Sequence, residues 1–93
     1  MRIKISSSAA EDIRSAVVYY SERSPELPAS FIDDFDAACS LISDSPQIGS
    51  PIGEGNRKLV MQRFPFIVIY RIDEDQVFVL AVGHQRRHPD YWK

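Results

Sequence analysis

Cysteine is nearly absent from this 93-residue chain, where Cys39 stands alone. One thiol cannot form an internal disulfide, and such usage fits a reducing cytoplasm. Histidine is scarce as well, with only His84 and His88. One cysteine and two histidines fall short of a closed tetrahedral zinc set, so neither a metal nor a cofactor is expected. No apolar run approaches the ~18 residues that span a bilayer, and the N-terminus lacks the apolar core of a secretion signal. These absences describe a cytoplasmic protein without membrane contact. A surplus of positive charge is also missing, because the formal net charge is −2. Domains that live by gripping phosphates usually carry more positive charge than this. The charge is uneven all the same. Residues 1–55 hold four basic and nine acidic side chains, a balance of −5; residues 56–93 hold seven basic and four acidic, a balance of +3.

What is present reads as one domain over residues 1–93. Arg2-Ile3-Lys4-Ile5-Ser6 alternates polar and apolar, the period of a half-buried strand. Ser8 precedes Glu11 by three residues, the capping-box spacing for a helix start. Ile13, Ala16, Val17 and Tyr20 then form one apolar stripe, and Ser24-Pro25 stops the helix. A second helix is expected to start near Pro28, which tolerates a first-turn position. Its stripe is Leu27, Phe31, Phe35, Ala38 and Ile42, with Asp33, Asp34 and Asp36 solvated. Residues 46–56 hold two prolines and three of the four glycines, which predicts a loop without a regular element. Strands are predicted over Arg57–Phe64, Phe66–Ile72 and Gln76–His84, the last two joined by the Asp73-Glu74-Asp75 turn. Both are nearly continuous in apolar residues, as central or doubly covered strands are. Two helices cannot easily cover both faces of such a sheet, which leaves one surface for something else. The order β-α-α-β-β-β gives an α+β fold: a helix hairpin packed on a small, mostly antiparallel sheet.

The candidate chemistry lies in the last third of the chain. Lys58, Arg71, His84, Arg86, Arg87, His88 and Tyr91 are the polar groups able to bind phosphate or move protons. Each has a structural reading beside the functional one. Tyr70 fits the core, Arg71 can pair with the acidic turn at 73–75, and His84 ends a strand. Cys39 fits a small buried site on the second helix. Arg86 and Arg87 carry guanidinium forks suited to carboxylate or phosphate, and Tyr91-Trp92 can pack back or serve as contact anchors.

The element order resembles the ParE/RelE superfamily of toxins from type II toxin–antitoxin pairs. So do Arg57-Lys58-Leu59, the run Pro65 to Arg71, the stretch Val82-Gly83-His84-Gln85-Arg86-Arg87-His88-Pro89, and Ala9-Ala10-Glu11-Asp12-Ile13 followed by Tyr20. The resemblance covers essentially the whole chain. It implies one of two activities: ribosome-dependent mRNA cleavage without metal, as in RelE-like members, or inhibition of DNA gyrase, as in ParE-like members. An inactive toxin fold kept as an interaction module is a third reading. For a nuclease the resemblance implies Lys58, Arg87 and Tyr91 as catalytic candidates, and His84 joins them as a proton donor by its own chemistry. The RelE-like arginine three residues before Tyr70 is replaced here by Ile67, and a lysine two after Lys58 by Val60. Each missing charge-stabilising donor typically costs ~2.7–4 kcal/mol of transition-state stabilisation, so the ParE-like branch fits better. The resemblance further implies a cognate antitoxin as partner, with DNA contacted only through it. Arg57, Arg71, Arg86, Arg87, His88, Tyr91, Trp92, Tyr20 and Phe35 are the candidates for binding the target or the antitoxin.

Overall fold

The computed structural model describes residues 1–86. Strand β1 (Arg2–Ile5) leads into helix α1 (Ser7–Ser21) and helix α2 (Leu27–Asp44). A 3-10 turn (Pro46–Ile48) follows, then β2 (Ser50–Gly53), β3 (Asn56–Val60), β4 (Phe66–Asp73) and β5 (Gln76–His84). The five strands form one sheet in the order β1-β5-β4-β3-β2. β1 runs parallel to β5, and every other pair is antiparallel. The α+β class and the helix hairpin stand as expected, and the two apolar strands β4 and β5 do take interior positions. No helix among the described residues is long and apolar enough to cross a membrane.

Three local expectations need correction. The cap of α1 is Ser6, not Ser8: its Oγ accepts from the Ala9 amide at 3.0 Å and donates to the Leu80 carbonyl at 3.1 Å. The stretch 46–56 is not a plain loop, since it holds the 3-10 turn and β2. Its glycines build the β2–β3 turn instead of preventing order. Gly53, Glu54 and Gly55 take φ of 94°, 58° and 78°, a left-handed run that glycine enters without steric cost. Strand β3 ends at Val60, not Phe64, because the chain bends through 61–65, where the Met61 amide donates to the Phe66 carbonyl at 2.8 Å.

The core lies between the helix hairpin and one face of the sheet. Phe31, Phe35, Ala38 and Ile42 of α2 and Ala9 and Ala16 of α1 meet Val68, Tyr70, Val77, Val79 and Val82. A register shift in β5 opposite Ile69–Tyr70 keeps Val77, Val79, Val82 and His84 on this helix side. Tyr70 is fully buried, and its hydroxyl donates to the Pro46 carbonyl at 2.6 Å while accepting from the Gly49 amide at 2.9 Å. A Cβ on Gly49 would stand 2.6 Å from that hydroxyl and 2.8 Å from the Lys58 carbonyl, so glycine is needed for the close approach. Tyr70→Phe strands the buried Gly49 amide. We expect it to lower the unfolding free energy by ~1–3 kcal/mol, read by urea denaturation. A loss under about 0.5 kcal/mol would show that the hydroxyl does not organise this turn.

Asp34 departs most from expectation. It is 4% exposed, and its Oδ2 accepts from the Arg63 and Phe64 amides, both at 2.9 Å. Neighbouring Asp33 and Asp36 are exposed as anticipated.

Candidate functional site

Helix α1 presents Asp12, Ser15, Ala16, Tyr19 and Tyr20 along one side, at the three- and four-residue spacings that bring side chains together, and Arg23 follows just past its end. With Phe66, Val82 and His84 at the ends of β4 and β5 they line a cleft of about 380 Å³. Ala16, Phe66 and Val82 form its apolar floor and are all buried. Small residues let α1 approach β5 closely here, since Ala9 and Ala16 are both on the contact side. Asp12 lies between them, and its Oδ2 accepts from the Val82 amide at 2.9 Å.

The rim is aromatic and basic. The Arg23 guanidinium carbon stands 3.4 Å from the Tyr19 ring centroid, a cation–π contact. One of its nitrogens donates to the Tyr19 carbonyl at 2.9 Å. Tyr20 packs against Phe64 at 4.9 Å, Phe31 at 5.8 Å and Phe66 at 6.2 Å between ring centroids. Burial of its hydroxyl raises the Tyr20 pKa, neighbouring Tyr19 adds to the rise, and Arg23 opposes it. The phenol therefore stays protonated at neutral pH and can donate. His84 meets the Phe66 ring edge-on at 5.4 Å. Its Nδ1 accepts from the Arg86 amide at 3.1 Å, which assigns the proton of the neutral ring to Nε2.

The expected site residues are dispersed. Tyr20 and His84 line the cleft. Phe35 is 4% exposed in the core and supports the hairpin from within. The Arg57 side chain is committed to the 46–49 turn, donating to the Gln47 and Gly49 carbonyls at 3.1 and 2.7 Å. Arg71 is exposed and makes no ion pair with the 73–75 turn. It stands opposite Phe78, on the face of the sheet away from the helices. Among the described residues the only ion pair is Arg14 with Glu11. Arg86 is exposed; the expectations for Arg87, His88, Tyr91 and Trp92 fall outside the described residues. Cys39 is partly buried, and burial, then Asp36, pushes its thiol up to about 11. It is a neutral packing group at pH 7.

The helix-free face has its own pattern. Ile69 and Ala81 are 5% and 3% exposed yet stand apart from the main core cluster. Around them lie Lys58 opposite Ile69, Val60 opposite Ile67, and Arg71 and Lys4, both opposite Phe78. Lys58 thus faces one side of the sheet and His84 the other. Asp12 is a cleft residue that sequence reasoning passed over, whereas Asp34, read there as solvated, is buried. For Asp12 a signal existed: it falls between Ala9 and Ala16, at the three- and four-residue steps of a contact face.

The family described as ParE toxin of type II toxin–antitoxin system, parDE, matches residues 3–89. Toxin ParE2 of Mycobacterium tuberculosis is 24% identical over 90 residues, covering 96% of this chain and 86% of that protein. Among solved structures, a chain of the chromosomal ParDE toxin–antitoxin system from P. aeruginosa superposes with a TM-score of 0.63 at 17% identity, covering 90% of this chain and 95% of that one. A chain of the toxin–antitoxin complex RelBE2 from M. tuberculosis superposes with a TM-score of 0.59 at 21% identity, covering 89% and 95%. At these identities the structural likeness speaks for the fold.

Proposed function

The chain belongs to the ParE toxin family of type II toxin–antitoxin systems, and on that premise we propose that it acts in the cytoplasm, inhibits DNA gyrase, and is held inactive by a cognate antitoxin. The observation that carries the choice of target is where the nuclease candidates lie. Val60 and Ile67 are direct cross-strand partners, so both positions that would hold a cation in an RNA-cutting relative adjoin one spot, and both are aliphatic. Val60 is 44% exposed there, an apolar surface where a phosphate would need donors. Lys58 is on this face, whereas His84 lines the cleft on the opposite face. Two groups on opposite sides of one sheet cannot converge on a scissile phosphate. The same reading assigns operator DNA contact to the antitoxin, in keeping with the net charge of −2.

The test is a plasmid supercoiling assay with purified gyrase and toxin. We expect loss of supercoiling with accumulation of cleaved plasmid, both relieved by the antitoxin. Toeprinting of a translated mRNA is expected to show no cuts at ribosome-occupied codons. Codon-dependent cuts with undisturbed supercoiling would reverse the assignment.

A further inference from the structure

The helix hairpin covers one face of the sheet, and the other face carries no layer among the described residues. Yet β4 and β5 are interior and nearly continuous in apolar residues, the pattern of strands with a layer on each side. On the helix-free face Ile69 and Ala81 are buried, Ile67 and Phe78 are half-buried, and Val60 is 44% exposed. The registers set these residues side by side across β3, β4 and β5, with Ile67 between Val60 and Gly83.

Positive charge surrounds this apolar strip. Lys58 stands beside Ile69 from β3, and Arg71 and Lys4 flank Phe78 from β4 and β1. Arg2, two residues before Lys4 in β1, falls on the same face by strand alternation. All are exposed, and among the described residues none is held in an ion pair. The same alternation brings one acid to this face, Asp73, beside the β4–β5 turn. The helical layer has the opposite sign: α2 contains no basic residue and exposes Asp33, Asp36 and Asp44. A chain with a net charge of −2 thus gathers cations on the face without a covering layer. Such segregation steers and orients a negatively charged partner.

We propose that this face docks an acidic amphipathic helix of gyrase, which becomes the second helical layer of the sheet. The inference rests on the gyrase reading above. The strip centres on β4, which has β3 on one side and β5 on the other. A partner therefore meets it through side chains and not as an added strand. Lys4 on β1 and Lys58 on β3 are three strand spacings apart, a width of about 14 Å. A helix of two to three turns spans that width. It lays apolar residues on Val60, Ile67 and Phe78 and sets carboxylates against the cations on either side. A nucleic acid fits less well. The centre of the face is aliphatic where phosphates need donors, and among the described residues Phe78 is its one aromatic side chain, short of a platform for stacked bases.

The experiment uses the full chain, purified gyrase and two variants, Lys4→Glu/Arg71→Glu and Val60→Asp. These positions are exposed, so the substitutions stay out of the core, which circular dichroism checks. Binding is measured to gyrase without DNA, to plasmid alone and to the co-expressed antitoxin, beside plasmid supercoiling. We expect each variant to bind gyrase at least about tenfold more weakly, with a matching rise in the concentration that halves supercoiling and with antitoxin pairing unchanged. Inhibition by the parent with both variants at parental affinity would overturn the docking face and leave the gyrase reading standing. A parent that neither binds nor inhibits gyrase would remove that reading and this inference with it. Binding to plasmid alone that the variants lose, with gyrase binding intact, would assign the face to nucleic acid and overturn the proposal. Loss of antitoxin pairing in step with gyrase binding would assign the face to the antitoxin, with the same consequence.

Discussion

Phe31→Ala is expected to lower the unfolding free energy by ~3–5 kcal/mol, the largest effect of any single substitution proposed for this fold. Phe31 is completely buried. Its ring meets Tyr20 at 5.8 Å, Phe64 at 5.4 Å and Phe66 at 5.0 Å. Those three partners come from α1, from the 61–65 turn and from β4, so this one ring joins the helix hairpin to the sheet. Alanine removes the apolar area and leaves a cavity walled by rings that α1 and β4 hold in place, which limits collapse. A domain of this size is stable by only ~5–15 kcal/mol, and each kcal/mol moves the melting temperature by about 4–8 °C. Thermal melts by circular dichroism should therefore fall by tens of degrees or show no folded baseline. Phe31→Leu keeps most of the volume and should cost less than half as much. Equal losses for the two variants would mean that ring geometry outweighs volume here, against the account given.

The parts of the fold that sequence made readable are those with a repeated physical signal. The stripe Phe31, Phe35, Ala38, Ile42 repeats at helical spacing, and all four residues are buried. The strands β4 and β5 announce themselves through length and apolar continuity, and both are interior. What escaped lacks such repetition. β2 has four residues, Ser50-Pro51-Ile52-Gly53, and takes its extended form from pairing with β3 rather than from propensity. Its glycines point equally to loop and to turn, and only the positive φ at 53–55 distinguishes them. Sequence does not single out the capping serine, because Ser6, Ser7 and Ser8 are adjacent and each fits a cap. The decision between them comes from the contact of Ser6 with Leu80, 74 positions away in sequence. The cleft was half visible. Tyr20 and His84 stood out as residue types, but their meeting depends on the crossing of α1 over β5, which no local pattern encodes.

Asp34 presents the sharpest case, and its substitution carries the second large effect. Its neighbours Asp33 and Asp36 share its chemistry, and the three read alike as solvated charge. Only Asp34 is turned under the helix, where one carboxylate oxygen takes both amides of the bend between β3 and β4. That bend lacks a partner strand for these donors, so a side chain must satisfy them. Asp34→Ala leaves two amides without an acceptor, and the bond to Phe64 is itself buried. The expected loss is ~2–4 kcal/mol, in line with removing charge-assisted bonds from a buried site. Asp34→Asn can still offer one carbonyl oxygen to both amides and should recover part of the loss. Asp33→Ala and Asp36→Ala should stay within about 0.5 kcal/mol of the parent. Parallel urea titrations of the four variants make the comparison direct, and equal effects at 33, 34 and 36 would refute it. The consequence reaches beyond stability. The same bend delivers Phe64 to the ring of Tyr20 and the Pro65 carbonyl to the Gln85 amide, so it holds down the end of β5 beside His84. Loosening it should blur the cleft as well, so the Val82 amide, which donates to Asp12 there, should exchange faster in Asp34→Ala but not in Asp33→Ala or Asp36→Ala.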